Sequence, residues 1–298
     1  MSARKRVAAS RRPSVWIQDL TWEDVADYLT ENDIVLFPIG ATEQHGPAGP
    51  LGVDSFVANY LAEDVALRTN TLCAPPLWYG DSTHHMAFPG TITLRTETEV
   101  AVCSDIYRSL ARHGFRKIIT INGNKSANLP GLLAATKTLH EFELPDVFFA
   151  VIDPMKIGRG IATKIKGDVV EHHGGQLEIS EVWHKRPDLI KADRLGDRLF
   201  DHQTVFSEFF AVDLFGGGHD VIDIPWSSAE ERAFAPTGQF SPNSGASPAL
   251  GRKFHEYMVE RIASFIEWLR AYKGPIGDPS VVARMNSEVA RRSTRAAR

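Results

Sequence analysis

The chain has 298 residues, 43% of them hydrophobic and 23% charged, which is enough apolar material for one large core. The net charge of −4 hides basic ends: Arg4, Lys5, Arg6, Arg11 and Arg12 open the chain, five arginines and Glu288 close it, and the body without these tails holds 23 basic and 36 acidic residues, a net of −13. An acidic body argues against nucleic acid as the main partner, no apolar run approaches the roughly 20 residues needed to cross a bilayer, and the basic start lacks the apolar segment of a secretory signal. Cys73 and Cys103 sit among apolar neighbours and read as buried thiols of a cytoplasmic protein.

Ile34 to Ile39 is a short apolar run stopped by Gly40 and fits a buried strand. Val53 to Leu67 has helical spacing, with Phe56, Val57, Tyr60, Leu61 and Val65 on one side. Thr71 to Pro75 is a second strand candidate. Glu97 to His113 predicts a helix, acidic in its first turn, basic in its last, and stopped by Gly114. Lys117 to Ile121 is the clearest buried strand, Leu129 to Phe142 a helix, and Val147 to Ile152 another strand. Helical patterns return at Gln176 to Trp183 and Leu250 to Tyr272. The alternation predicts an α/β fold: a single domain with a mainly parallel sheet flanked by helices. We place it at 13–275, between a basic tail at 1–12 and an arginine-rich tail at 276–298. Ligands of such sheets sit beyond the C-terminal strand ends, where the polar motifs fall.

The first motif follows the first strand: Glu43, Gln44, His45, then a Gly- and Pro-rich loop to Asp54. Carboxylate, imidazole and carboxylate suit zinc, manganese or iron. Glu43 and His45, two apart, project to one side of an extended segment. Taken singly, each could be a cap or a satisfied polar residue; together they read as a metal site. The second motif, Glu171-His172-His173-Gly-Gly-Gln-Leu-Glu178-Ile-Ser180, packs four ionisable groups into eight residues. His173, Glu171 and Glu178 are candidate acid–base groups, with Glu178 also a candidate ligand. The third runs from Tyr79 through Ser82, His84 and His85 to the turn Phe88-Pro-Gly-Thr91; Ser82 and His85 could hold a substrate carbonyl or amide. The fourth, Asn122-Gly-Asn124-Lys-Ser126-Ala-Asn128, reads as a polar loop whose amides, Asn124 and Asn128 above all, could cradle a polar substrate, with Lys125 solvated. Its glycines do not make a phosphate loop, and no nucleophile elbow or dinucleotide fingerprint occurs.

Phe37-Pro-Ile-Gly-Ala-Thr-Glu-Gln-His-Gly-Pro, followed by Pro-Leu-Gly-Val-Asp54, resembles the signature of the creatininase (creatinine amidohydrolase) family. The likeness continues through Tyr79-Gly-Asp-Ser82, Phe88-Pro-Gly-Thr91, the Asn-Gly loop and His173-x-x-x-x-Glu178-x-Ser180, spanning roughly residues 15 to 272. It implies one α/β domain, commonly in hexamers, with one or two divalent metals per subunit at the strand ends. It implies hydrolysis of a small cyclic amide, a formamide, a peptide tail or a related carbonyl compound. By position Glu43, His45 and Asp54 fall on family metal ligands, Asp54 on the bridging one. His173 and Glu178 fall beside the metal, and Ser82 on a substrate-contacting serine. Three positions depart. Asn124 stands where the family usually places a metal-binding histidine, Ser126 where members acting on creatinine place a glutamate, and Ala48 where a histidine is frequent.

These departures count against creatinine and leave room for another small polar ring, such as a cyclic polyol ketone of the 3-dehydro-scyllo-inosose kind, which one family member opens. The second reading is a metal-depleted member that binds a small molecule or supports an assembly without catalysis. The Gly-, Pro- and Ser-rich stretch from Phe215 to Ser247 reads as an irregular excursion, a lid or subunit contact. Phe200 to Phe215 is apolar over so much of a helical circumference that a homo-oligomer contact is expected to cover it.

Overall fold

The computed structural model describes residues 12–197, 225–284 and 286–287. All six residues of β1 (Ile34–Ile39) are buried. β1 lies between β2 (Leu72–Cys73) and β3 (Lys117–Asn122), and β3 carries β4 (Phe148–Ile152) on its far edge. Every pairing is parallel, in registers such as Val35 with Leu72, Ile34 with Lys117 and Lys117 with Phe148. Alternation along a strand then sorts the side chains between two faces. Ile34, Leu36, Ile119 and Ile121 pack on one core; Val35, Phe37, Ile39 and Ile118 pack on the other.

Helices cover both faces, as a sheet with apolar residues on each side requires. α1 (Trp22–Leu29), α3 (Thr96–His113) and α4 (Lys125–Phe142) lie over one. α2 (Val53–Thr69), α5 (Pro154–Ile165), α6 (Gln176–Lys185) and α8 (Pro248–Ala271) lie over the other, and the short α7 (Ser228–Phe234) caps the third motif. The architecture is the expected one: a single α/β domain on a parallel sheet.

Local differences have local causes. β2 is shorter than Thr71 to Pro75, because Pro75 and Pro76 have no N–H to continue a ladder. α4 begins at Lys125, a full turn before the predicted Leu129, so Lys125 to Asn128 are helical and not a loop. The turn before Pro130 is held by Asn128 N–H on the Asn124 carbonyl (3.2 Å) and by Asn122 Nδ2 on the Lys125 carbonyl (2.8 Å). α1 and α5 escaped the periodicity reading, although each has a clean cap: Thr21 with Asp24, and Asp153 before Pro154. Phe200 to Phe215, the expected subunit contact, lies outside the described residues. Among those described, no helix is long and apolar enough to cross a membrane.

Candidate metal centre

The β1–α2 loop is held tight against the helix it feeds. A Cβ on Gly40 would lie 2.3 Å from the Ser55 backbone nitrogen, and one on Gly123 would lie 2.0 Å from the Asp54 carbonyl. Only glycines let both strand ends approach the first turn of α2 so closely. The loop is closed by Glu43 N–H on the Leu51 carbonyl (2.8 Å). Glu43 and His45 thus stand at the end of β1, opposite Asp54, and all three are buried.

His45 Nδ1 lies 3.2 Å from the Glu43 carbonyl, and Nε2 lies 3.2 Å from Asp54 Oδ1. A carbonyl only accepts, so Nδ1 carries a hydrogen, and Nε2 in that tautomer turns its lone pair toward the carboxylate. Two acceptors that face each other across this gap need a cation or a proton between them. Asp54 Oδ2 has no hydrogen-bond partner among the described residues. Burial, and then the charge of Glu43, raises the Asp54 pKa.

Glu43 has two differently employed oxygens. Oε2 accepts from Ser82 Oγ (2.6 Å) and Asn124 Nδ2 (3.1 Å). Oε1 faces His85 Nε2 at 3.3 Å and His173 Nδ1 at 3.7 Å. Burial would raise the Glu43 pKa, but His85 outweighs it and holds the carboxyl at about 2. Burial would likewise lower His85, but Glu43 and Glu231 push it up to about 10. His85 Nδ1 is 2.5 Å from Glu231 Oε1, on α7, which a Ser227–Glu230 capping box anchors. His173 Nε2 sits 2.5 Å from the Gln44 carbonyl, so Nε2 carries the hydrogen and the Nδ1 lone pair points inward. Burial, followed by His85 and His45, keeps the His173 pKa well below its ordinary value. Its ring stacks on His85 and lies against His45, with centroids 4.2 and 4.3 Å away.

The other expected residues divide. Glu178 is beside the cluster, but it is already engaged: Oε2 accepts from Gly174 N–H (2.8 Å) and Oε1 pairs with Lys125 Nζ. Lys125 is therefore not solvated, as expected from the sequence, but turned inward. Glu171 Oε1 accepts from Leu177 N–H (2.9 Å) and Glu178 N–H (3.4 Å), and so caps α6. Asn124 gives its amide hydrogens to Glu43 and the Asp81 carbonyl. Asn128 gives its own to the Gly40 carbonyl (3.0 Å) and Asn122 Oδ1 (3.2 Å) and accepts from Asp81 N–H (2.9 Å). A bracing role replaces the substrate contact expected of Asn128. His172 accepts from His173 N–H and packs on Phe240. The described part of the Gly- and Pro-rich excursion does reach the centre: Phe240 N–H donates to the His173 carbonyl (2.9 Å) and Asn243 Nδ2 to the Gly174 carbonyl (2.9 Å).

Among the described residues, four sets of three side chains have donor atoms within 4.8 Å of one another: Glu43, His45 and Asp54; Glu43, His85 and His173; His45, His173 and Glu178; and His84, His85 and Glu231. The chemistry fits a divalent ion: the carboxylates of Glu43 and Asp54 converge with the imidazoles of His45 and His173, and Asp54 Oδ2 has no hydrogen-bond partner among the described residues. Sequence reading missed the fourth set. The His84-His85 pair was visible, but Glu231 comes from 146 residues away, on a short helix with no metal-binding spacing.

A parallel α/β sheet with an acid–histidine centre at its strand ends is the architecture of a metallohydrolase-type protein. The creatinine amidohydrolase family model matches residues 18–266, and the chain belongs to the creatininase family. It is 36% identical over 115 residues to the 3-dehydro-scyllo-inosose hydrolase of Thermotoga maritima, a match covering 38% of this chain and 37% of that protein. It is 32% identical over 200 residues to the creatinine amidohydrolase of Pseudomonas putida, covering 62% of this chain and 76% of the other. A solved creatininase mutant described as Zn-Zn type superimposes with a TM-score of 0.70 at 26% identity, over 86% of this chain and 98% of that one.

Proposed function

We propose that this chain is a hydrolase of a small polar cyclic substrate, a cyclic amide or a cyclic polyol ketone, working with a divalent zinc, manganese or iron ion. Glu43, His45 and Asp54 would hold the ion, with His85 beside them. The carrying observation is His45 Nε2 set 3.2 Å from an Asp54 carboxylate whose other oxygen has no hydrogen-bond partner among the described residues. The ion, when bound, supplies a water of lowered pKa and polarises a carbonyl.

The chain's own residues do the rest. Ser82 and Asn124 fix Glu43 by its outer oxygen, so that the inner one stays aimed at the centre. His173, kept neutral by burial and tethered to the Gln44 carbonyl, presents Nδ1 as the base that accepts a proton and later returns it to the leaving group. Glu171, expected as a proton carrier, fits better as the positioning group that holds the α6 terminus and so Glu178. Asn124 and Ser126, where members acting on creatinine are expected to carry a histidine and a glutamate, count against creatinine and favour a hydroxylated ring. The protein is read as a cytoplasmic homo-oligomer, by family likeness a hexamer.

Two assays test this. Metal analysis after chelation and reconstitution should return at least one equivalent of a divalent ion per chain. Turnover should then be metal-dependent on a polyol ketone such as 3-dehydro-scyllo-inosose and at least tenfold weaker on creatinine. Less than about a tenth of an equivalent under saturating metal would favour the non-catalytic reading.

A further inference from the structure

We infer that Lys125 occupies the place of a second cation, so that the centre binds a single divalent ion. The inference rests on the metal reading above and goes beyond it. The candidate donor sets overlap through His45, His173 and Glu43, which is room for two neighbouring cations. The two positions are not equal. At Glu43, His45 and Asp54 the donor atoms face one another, and among the described residues no lysine or arginine pairs with them. Near Glu178, the Lys125 Nζ is already in place against Oε1, while Oε2 is taken by Gly174 N–H. With both oxygens already engaged by the protein, Glu178 is a poorer ligand than Asp54, whose Oδ2 has no hydrogen-bond partner among the described residues.

Lys125 reaches this point because of where it stands. It is the first residue of α4, one beyond Asn124, which grips Glu43. Its side chain lines a small cavity with Asp54, Glu178 and Gly123. Burial lowers the Lys125 pKa, and the carboxylates of Asp54, Glu171, Asp153 and Glu43 work against that lowering. Asp54, Glu43, Glu171 and Glu178 bring four carboxylates to a buried volume, and the lysine among them supplies a cationic partner without a second metal. The residues flanking Lys125 agree: Asn124 and Ser126 are both poor ligands, so the helix start that carries a fixed cation offers little to a mobile one.

The test is metal stoichiometry on the purified full-length chain. Wild type, Lys125→Ala and Lys125→Arg are stripped with chelator, reconstituted with zinc chloride, freed of unbound metal by gel filtration and measured by inductively coupled plasma mass spectrometry. Wild type and Lys125→Arg should hold one zinc per chain and Lys125→Ala two. Two equivalents in wild type would overturn the inference and leave the metal reading intact, whereas none would sink that reading and the inference with it. One equivalent in a folded Lys125→Ala would reduce Lys125 to an ordinary ion-pair partner and also overturn it. Should Lys125→Ala fail to fold, Glu178→Gln decides: zinc affinity within threefold of wild type is expected, because Glu178 serves Lys125 and not the ion, and a hundredfold loss would refute the assignment.

Discussion

Among the described residues two acid–histidine clusters can be set side by side, and they are built to opposite ends. In the first, at the strand ends, His45 Nε2 stands 3.2 Å from Asp54 Oδ1, and Asp54 Oδ2 has no hydrogen-bond partner among the described residues. In the second, between α2, α6 and α8, His255 Nε2 meets Asp64 Oδ2 at 2.8 Å and Nδ1 meets Glu181 Oε1 at 3.3 Å, while Lys185 Nζ closes on Asp64 at 2.5 Å. Both ring nitrogens of His255 are spent on carboxylates. Composition alone would not separate the two. What separates them is whether the acceptors are answered inside the chain, because a buried acceptor left unanswered is costly unless something else comes to it.

The largest expected effect breaks the first cluster. His45→Ala and Asp54→Ala should each lower zinc affinity by at least tenfold and remove metal-dependent turnover, with the circular dichroism spectrum unchanged. Isothermal titration with zinc checks it. Full occupancy in either variant would mean that the facing acceptors are satisfied by a proton alone.

The second cluster should respond in the other currency. His255→Ala leaves Asp64 and Glu181 without their shared ring and should cost about 3 kcal/mol of stability, read from denaturant midpoints, while zinc affinity stays within twofold. A variant that lost metal but not stability would erase the distinction between the clusters.

Much of the first cluster could be read along the chain, and almost none of the second. Glu43, His45 and Asp54 fall within twelve residues of one loop and helix start, and the glycines between them announce the loop. His173 and Glu178 share a motif. By contrast, Glu231 reaches His85 across 146 residues, and His255 reaches Asp64 across 191. Such pairings are set by how helices pack on the sheet, which has no local signature. Lys125 was misread for a related reason. Polar neighbours made its segment look like a loop, whereas α4 begins at Lys125 and its side chain meets Glu178. The sheet itself was legible, because β1 and β3 are short apolar runs with turn signals at their ends.

Glu99 sharpens the comparison, since it shows that an orphaned acid is not by itself a site. Both its oxygens lack partners among the described residues, but it lies on α3 beside Gly131, with no imidazole set around it. Burial, and then the charge of Asp81, raises its pKa to about 8. Its folded value lies above the unfolded one, so its contribution is fully present below about pH 4.5 and is lost as pH rises toward 8. Glu99→Gln should therefore match wild type near pH 4 and exceed it by roughly 2 kcal/mol near pH 8. Urea unfolding at both pH values measures this; a constant difference would show that the acid is charged in the fold.

The smallest effect tests whether the second cluster is as self-sufficient as its geometry says. Burial would raise the Asp64 pKa, but hydrogen bonds from His255 and Lys185 bring it down to about 2. A depressed acid stabilises the fold above its unfolded value and loses that contribution as pH falls from about 4 to about 2. Burial would lower His255, but Asp64 and Glu181 leave it raised. A raised histidine contributes fully below about pH 6.5 and loses that contribution as pH climbs through its folded value. The pair is thus strongest between these limbs, near pH 4 to 6.5. Asp64 is part-exposed, which screens its share, so Asp64→Asn should remove only about 1 kcal/mol in that window. The loss should shrink toward pH 2, where wild-type Asp64 is itself neutral. Thermal melts of the two proteins from pH 2 to 8, with chelator present, compare them without the metal. A difference that is flat across pH would mean that Asp64 acts through packing and not charge, and that the second cluster holds its helices together by shape.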